Sequence, residues 1–258
     1  MGGQGLAMES QKLLVLGVPV DLQDDYGGLA KRRVSDRQGA HIVTLNAEMA
    51  IQAQQDPKLA QLITNAELVI PDGAGIVLYG RARGKEIQRC PGIELAEELI
   101  QAAIEHQWRV FLIGGAPDVI EAVLQNWQAK FAGDGKELPI AGYHHGYFDA
   151  EQEQLICAQI KQTQPDLILV GLGVPRQEFW IQSQRRLCPN ATWIGVGGSF
   201  DIWSGRKERA PAWLRNNHLE WVYRLYKEPW RWRRMLALPY FVWSAVVYSL
   251  QQMLKRSP

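Results

Sequence analysis

One aspartate follows a short apolar run directly and lies between two residues that restrict the backbone. Asp72 comes after the run 67–70 and is flanked by Pro71 and Gly73. A carboxylate at the end of a buried strand can act as a general base toward a substrate hydroxyl. A Pro-Asp-Gly sequence is equally typical of a turn whose aspartate caps the next helix. The residues alone leave both interpretations open.

Two glycine-rich turns also follow apolar runs, at 114–117 and 171–175. Free backbone N–H groups at such turns, together with a helix N-terminus, favour a bound phosphate. Tight turns without a ligand have the same composition. Neither turn matches the G-x-G-x-x-G pattern of dinucleotide-binding proteins. A dinucleotide-dependent oxidoreductase, using NAD, therefore stands as the alternative function.

The potential metal ligands and nucleophiles do not form a recognised pattern. His144 and His145 are adjacent, with no third ligand nearby, and the chain has no D-x-D pair to hold a divalent cation on a nucleotide diphosphate. Cys90, Cys157 and Cys188 have no C-x-x-C spacing and are expected to be buried apolar side chains. The sequence predicts no metal site and no cofactor.

The elements that position these residues form a repeating pattern of apolar runs, Gly/Pro loops and amphipathic helices. This pattern predicts an α/β fold: a Rossmann-like, mainly parallel sheet covered by helices on both faces. The run 13–18 is predicted as a buried strand closing at Pro19, and 21–38 as a loop or poorly organised helix. Ligands bind beyond the carboxyl ends of such strands. One rim is expected to hold Thr44, Asn46, Asp72, Gly114, Gly173 and Gly197.

The net charge of +1 conceals two oppositely charged parts of the 258-residue chain. From Trp203 onward, eleven Lys and Arg residues face three Glu residues, which gives +8 and leaves −7 for the rest. Seven of the ten tryptophans lie between Trp193 and Trp243. We therefore predict a Rossmann-like domain over residues 1–202 and a basic, helical, Trp-rich appendage over 203–258, with an anionic partner.

The appendage ends in an apolar run, which favours a membrane surface over nucleic acid as that partner. Met235–Leu250 is sixteen residues long, and a membrane-spanning helix needs about 20. Residues 1–10 show no signal peptide, and the three cysteines indicate a reducing compartment. We expect a cytoplasmic protein attached peripherally to the inner face of the cell membrane.

Several segments, taken in order, resemble one protein family. They are 44–48 (Thr-Leu-Asn-Ala-Glu), 70–73 (Ile-Pro-Asp-Gly), 173–178 (Gly-Val-Pro-Arg-Gln-Glu), 197–201 (Gly-Gly-Ser-Phe-Asp), 209–211 (Arg-Ala-Pro), 219–225 (Leu-Glu-Trp-Val-Tyr-Arg-Leu) and 228–229 (Glu-Pro). From about Leu13 to Phe241 the chain resembles the WecG/TagA/CpsF family of bacterial glycosyltransferases. No single motif carries this resemblance; the order and spacing of all of them do.

The resemblance implies inverting, metal-independent sugar transfer in cell-surface polysaccharide synthesis. The donor would be a UDP-sugar, with N-acetylmannosamine or its uronic acid, and the acceptor polyprenyl-diphosphate-linked N-acetylglucosamine. The resemblance does not determine the donor sugar, the linkage, the final polymer or the oligomeric state. A homo-oligomer is compatible with it.

The resemblance also assigns roles to residues. Asp72 would be the catalytic base, with Thr44 and Asn46 near the reacting sugars. The donor and its nucleotide would contact Gly114, Gly115, Tyr147, Gly171, Gly173, Gln177 and Asp201. Four arginines of the appendage would close over the diphosphate and meet the membrane: Arg209, Arg224, Arg231 and Arg234.

Overall fold

The computed structural model describes residues 11–131, 137–217, 219–232 and 236–256. Its eight strands are β1 (Lys12–Val15), β2 (Val18–Asp21), β3 (Ala40–Leu45), β4 (Leu68–Pro71), β5 (Val110–Gly114), β6 (Ile140–His144), β7 (Leu167–Gly171) and β8 (Thr192–Gly195). Six of them form one sheet in the order β4-β3-β8-β7-β5-β6, and every neighbouring pair is parallel. The predicted parallel sheet is confirmed.

Helices follow nearly every strand of this sheet. They are α1 (Tyr26–Ser35), α2 (Ala47–Gln55), α3 (Pro57–Thr64), α4 (Ala74–Arg81), α5 (Gly92–His106), α6 (Pro117–Phe131), α7 (Ala150–Thr163), α8 (Arg176–Gln184), α9 (Ser199–Trp203), α10 (Ala212–Asn216), α11 (Glu220–Lys227) and α12 (Ala237–Arg256). Short 3₁₀ turns cover Arg185–Leu187 and Pro229–Arg231.

Both faces of the sheet are buried, because alternate residues of each strand point to opposite sides. In β3, Ile42 packs in a cluster with residues of α1, α5 and α6, whereas Val43 and Leu45 pack with α2 and α3. Toward the other edge of the sheet, Phe111 and Trp193 lie in a third cluster with residues of α7 and α8. These clusters confirm the helical layers on both faces.

The run 13–18 is two strands, so its prediction as one buried strand was wrong. Leu16 and Gly17 both have positive φ, 51° and 96°. Such a two-residue turn matches the twist of a hairpin, and β1 pairs with β2 antiparallel, outside the main sheet. Leu14 is 51% exposed, and Pro19 lies inside β2 rather than at a strand end.

The segment 21–38, predicted as a loop or a poorly organised helix, contains a regular helix, α1. Tyr26, Ala30 and Val34 recur every four residues and are all buried. The Asp25 carboxylate accepts a hydrogen bond from the Gly28 N–H at 2.7 Å and begins the helix. Small and charged residues between the three apolar positions concealed this helical period.

The C-terminal helix α12 packs against α2 and α4. Phe241 is buried there, with its ring centroid 5.8 Å from that of Tyr79 on α4. Over the described part of the chain, no helix is both long and apolar enough to cross a membrane. The predicted division between residues 202 and 203 stays a prediction.

Candidate active site

A pocket of about 600 Å³ lies beyond the carboxyl ends of β3, β4 and β8. Five of the predicted site residues line it: Thr44, Asn46, Asp72, Gln177 and Arg224. Among the described residues, seven further charged ones line it: Arg89, Arg206, Lys207, Glu208, Glu220, Lys227 and Glu228. The sequence motifs assigned no role to Arg89 or Glu220. The only signal for Glu220 was its place in the segment 219–225, and Arg89 lies in none of the quoted segments.

Asp72 is held at the end of β4 by its own backbone, because its N–H donates to the Leu45 carbonyl of β3 at 2.8 Å. Helix α4 follows, with Gly73 as its N-cap at φ 97° and no side-chain capping bond. The interpretation of Asp72 as a helix cap is therefore wrong. Its carboxylate faces the pocket instead.

Burial raises the pKa of Asp72 to about 6, while the charges around it act in both directions. The guanidinium groups of Arg89 and Arg224 lower this pKa, the carboxylate of Glu220 raises it, and a hydrogen bond from the Gly92 N–H lowers it. A carboxylate with such a pKa is mostly ionised at neutral pH yet more basic than an exposed aspartate. These are the properties that general-base catalysis needs.

Glu220 connects the two arginines beside Asp72. Its Oε2 is 2.8 Å from Nη2 of Arg89, and its Oε1 is 2.5 Å from Nη2 of Arg224. Although burial raises the pKa of Glu220, the two arginines outweigh it and hold that pKa below its usual range. Arg89 Nη1 also donates to the Arg215 carbonyl at 3.2 Å. Arg89 thus ties α10 and α11 to the loop before α5.

The other polar residues of the pocket hold its backbone in place. Thr44 Oγ1 donates to the Gly195 carbonyl at 3.0 Å, and Asn46 Oδ1 accepts from the Met49 N–H at 3.0 Å, which caps α2. Gln177 Oε1 accepts from the Gly197 N–H at 3.0 Å. The contacts with sugars predicted for Thr44, Asn46 and Gln177 stay predictions.

The glycines predicted to contact the donor do not line this pocket, and packing accounts for three of them. A Cβ added at Gly114 would lie 2.8 Å from the Phe200 ring, and one at Gly115 would lie 2.6 Å from Val119. A Cβ at Gly171 would also meet the Phe200 ring. Gly173, at φ 77°, has open space around it. The first three glycines let α6 and α9 approach the strand ends closely.

Other predicted residues also lie outside the pocket lining. Tyr147 follows β6 and is 74% exposed. Asp201 binds Lys207 at 2.8 Å, and Lys207 itself lines the pocket. Arg209 binds Glu94 of α5 at 2.5 Å. The Arg231 side chain and the whole of Arg234 lie outside the described residues.

Neither His144 nor the Cys90 thiol has the chemistry of a metal ligand set or a nucleophile. His144 Nδ1 is hydrogen-bonded to the His145 carbonyl at 2.9 Å. Within the described ranges, no three His, Cys, Asp or Glu side chains are grouped so that they could hold a metal ion. Burial raises the pKa of the Cys90 thiol to about 12, which leaves it protonated at neutral pH. Burial also raises the pKa of the Cys157 and Cys188 thiols, so none of the three cysteines is activated as a nucleophile.

Comparisons with known proteins agree with the motifs. The sequence model of the glycosyl transferase WecG/TagA/CpsF family matches residues 13–255. An N-acetylglucosaminyldiphosphoundecaprenol N-acetyl-beta-D-mannosaminyltransferase of Bacillus spizizenii is 39% identical over 84% of this chain and 82% of its own length. Proteins of the same name from Bacillus subtilis and Staphylococcus aureus are 38% identical over 83% and 81%, and 34% identical over 79% and 78%, respectively.

Proposed function

Because the chain belongs to the WecG/TagA/CpsF family of glycosyl transferases, we propose that it moves N-acetylmannosamine, or its uronic acid, from a UDP-sugar to polyprenyl-diphosphate-linked N-acetylglucosamine. The names of the three relatives support this sugar and this acceptor. One observation carries the proposal: the Asp72 carboxylate, with its raised pKa, lies beside Arg89 and Arg224 in a single pocket. The product would enter cell-surface polysaccharide synthesis. Because the chain belongs to this family, we interpret it as a glycosyl transferase and not as an NAD-dependent oxidoreductase.

In the proposed reaction Asp72 acts as the general base. Its carboxylate takes the proton of the acceptor hydroxyl while that oxygen forms a bond to the anomeric carbon of the donor. The bond from this carbon to the phosphate oxygen breaks, and UDP leaves with the electron pair. A single direct displacement inverts the anomeric configuration. One base is sufficient for this step.

Arg89 and Arg224 are our candidates for stabilising the departing diphosphate without a metal. A guanidinium group donates paired hydrogen bonds to phosphate oxygens and keeps its charge at any physiological pH. Both guanidinium groups form ion pairs with Glu220, so the two arginine side chains are already ordered beside Asp72. Charge that develops on the leaving group would meet preorganised donors.

The decisive assay measures UDP release from purified protein in detergent, with UDP-N-acetylmannosamine and a short-chain polyprenyl diphosphate that carries N-acetylglucosamine. We expect release that depends on the acceptor, persists in EDTA, and gives a product of inverted anomeric configuration by NMR. A panel of other UDP-sugars under the same conditions identifies the donor. Release that does not depend on the acceptor would contradict the proposed transfer, and loss of release in EDTA would contradict its metal independence.

We also propose that α12 attaches the protein to a membrane surface, where such a lipid acceptor resides. The inner side of α12 packs on the body through Phe241 and Ser244, both buried. Its outer side exposes Val242 (63%), Trp243 (66%) and Val246 (51%). A helix that is apolar on its solvent side, within a basic segment, is typical of interfacial membrane binding.

A further inference from the structure

Two buried ionisable side chains lie beneath the pocket, and the proposed reaction uses neither of them. His41 of β3 and Glu178 of α8 are both 0% exposed. His41 Nε2 lies 2.7 Å from Glu178 Oε2. Burying such groups is unfavourable unless they are hydrogen-bonded. The burial of both groups as a hydrogen-bonded pair indicates that they do more than fill space in the core.

The pair continues as a chain of hydrogen bonds to the pocket wall. Glu178 Oε1 accepts from Gln177 Nε2 at 2.9 Å, and Gln177 Oε1 accepts from the Gly197 N–H at 3.0 Å. Gln177 and Gly197 line the same pocket as Asp72. The chain thus joins β3, α8 and the loop after β8, and it ends at the candidate active site.

The shape of β8 fits this arrangement independently. A Cβ added at Gly195 would lie 2.6 Å from Glu178 Oε1 and would also meet Gln177 Nε2. Only a residue without a side chain lets the two side chains lie against the strand at this point. Gly195 also accepts the Thr44 hydroxyl bond on its carbonyl.

We propose that His41 and Glu178 are positioning residues for sugar transfer, and that they act by fixing the Gln177 amide and the Gly197 turn of the pocket. Because Glu178 Oε1 accepts from the Gln177 NH₂ group, the Gln177 oxygen is left to accept from the Gly197 N–H, so Glu178 sets which way the Gln177 amide points. The proposal rests on the proposed function only for its activity readout.

The isosteric substitution Glu178→Gln separates this role from simple space filling, because an amide cannot accept at both ends. If its oxygen faces His41, its NH₂ group meets the NH₂ group of Gln177, which must turn away from Gly197. If its oxygen faces Gln177, His41 must carry its proton on Nδ1, a buried atom with no partner among the described residues. The first arrangement costs the chain a bond, and the second leaves a buried N–H without an acceptor, so neither reproduces the wild-type pair.

Glu153→Gln is the matched control. Glu153 Oε1 also accepts hydrogen bonds from two side chains of α8, Trp180 at 2.7 Å and Gln184 at 3.2 Å, but it does not line the pocket. We expect Glu178→Gln to lower kcat/KM by roughly 10- to 100-fold, and Glu153→Gln to stay within about twofold of the wild type.

Hydrogen exchange, followed by mass spectrometry on the peptide that spans residues 193–201, gives a readout that needs no substrate. Glu178→Gln should accelerate exchange there, because the Gln177 amide that accepts from the Gly197 N–H is no longer held in one orientation by a carboxylate, and Glu153→Gln should not. Unchanged exchange, or wild-type kcat/KM, in Glu178→Gln would overturn the proposal. Absence of transfer by the wild type would instead refute the proposed function and leave the exchange result valid.

Two further variants distinguish a loss of positioning from a folding defect. The double variant His41→Met/Glu178→Leu removes the whole polar pair, a replacement that is often neutral or stabilising. We expect it to fold cooperatively, with a somewhat lower melting temperature because the buried Gln177 NH₂ group loses its acceptor, and to lose activity and Gly197 protection. His41→Gln keeps an N–H donor for Glu178 and should retain most of the activity. A double variant that is both stable and fully active would also overturn the proposal.

Discussion

The Asp72 carboxylate is enclosed by the ends of β3 and β4 and by the loop before α5, and burial raises its pKa to about 6. The ordinary value is 3.8. The folded protein therefore binds this proton more tightly than the unfolded chain does. Ionised Asp72 destabilises the fold, and this destabilisation develops as the pH rises from the unfolded pKa to the folded pKa.

Asp72→Asn should therefore stabilise the protein at neutral pH, by up to about 3 kcal/mol for a shift of about two pKa units. Urea denaturation at pH 7.5 and at pH 4.5 measures the effect. We expect the free energy of unfolding of the variant to exceed that of the wild type at pH 7.5, with the difference shrinking toward pH 4.5. A variant that is less stable at pH 7.5 contradicts the unfavourable burial of this charge.

The same substitution should cost activity, because an amide cannot take the acceptor proton. We expect kcat of Asp72→Asn to fall by roughly 10²–10⁴-fold, and wild-type kcat/KM to fall about tenfold per pH unit below pH 6. Initial rates of UDP release between pH 5 and 8 provide both numbers. Asp36→Asn, at an exposed site on the C-cap of α1, is the control. Wild-type turnover in Asp72→Asn rules out Asp72 as the base.

At the scale of elements, α11 supplies two of the three charged side chains that act on the pKa of Asp72, Glu220 and Arg224, and the third is Arg89. The groups that face Asp72 are Arg89, Arg224, Glu220, the Gly92 N–H and the Cys90 thiol. The Glu220 charge raises the pKa of Asp72. Its removal should lower that pKa.

Glu220→Gln should consequently shift the acid limb of the kcat/KM profile to lower pH. A merely structural effect would lower the rate at every pH without moving this limb. Glu121→Gln is the control, because it removes an exposed carboxylate of α6 that does not line the pocket. A limb that moves to higher pH in Glu220→Gln contradicts the sign of the interaction.

Trp203 connects α9 to α6, and its loss should be costly. It is 6% exposed, its ring centroid is 4.8 Å from that of Trp127, and its Nε1 donates to Glu97 at 3.0 Å. Trp203→Ala should reduce the free energy of unfolding by about 3–5 kcal/mol. Trp213→Ala, at a site that is 64% exposed, should change it by less than about 0.5 kcal/mol. Equal effects in the two variants, measured by urea denaturation, would falsify this assignment.

At the scale of the whole molecule, the charge is divided between the −7 of residues 1–202 and the +8 of the remainder. Several cations of the second part are paired with carboxylates of the first: Arg209 and Arg215 both bind Glu94 of α5, and Arg206 binds Asp118. In the opposite sense, Arg89 of the first part binds Glu220 of the second. These ion pairs hold the C-terminal segment against α5, where part of it lines the pocket. The exposed side of α12 then provides the apolar surface that we propose for the membrane.

Trp243→Ser should weaken binding to vesicles of anionic phospholipid by roughly tenfold or more, since a large aromatic side chain leaves the interface. Leu155→Ser, at a site on α7 that is 66% exposed, should leave binding unchanged. Vesicle co-sedimentation at low and high salt measures both variants. If vesicle binding is unchanged and Trp243→Ser instead dissociates a dimer in sedimentation velocity, this face joins copies of the chain.

The sequence was most informative where local chemistry decides the structure. The runs 41–45, 109–113 and 166–170 predicted strands, and the observed strands β3, β5 and β7 begin and end within a residue of them and are almost entirely buried. The hairpin at Leu16–Gly17 was missed because its turn contains only one glycine and no Asn or Asp. Strand β6 was missed because Ile140–His144 is only partly buried and does not form a continuous apolar run.

The sequence by itself determined the class of fold, the family motifs and the position of Asp72 at the end of a strand, because these depend on residue type and short spacing. The tertiary structure decided which charges meet. Arg89 reaches Glu220 across 131 positions, and His41 reaches Glu178 across 137. Such partners come together only through the path of the chain between them. The raised pKa of Asp72 and the buried chain to Gln177 are therefore properties of the folded molecule, which no local pattern could predict.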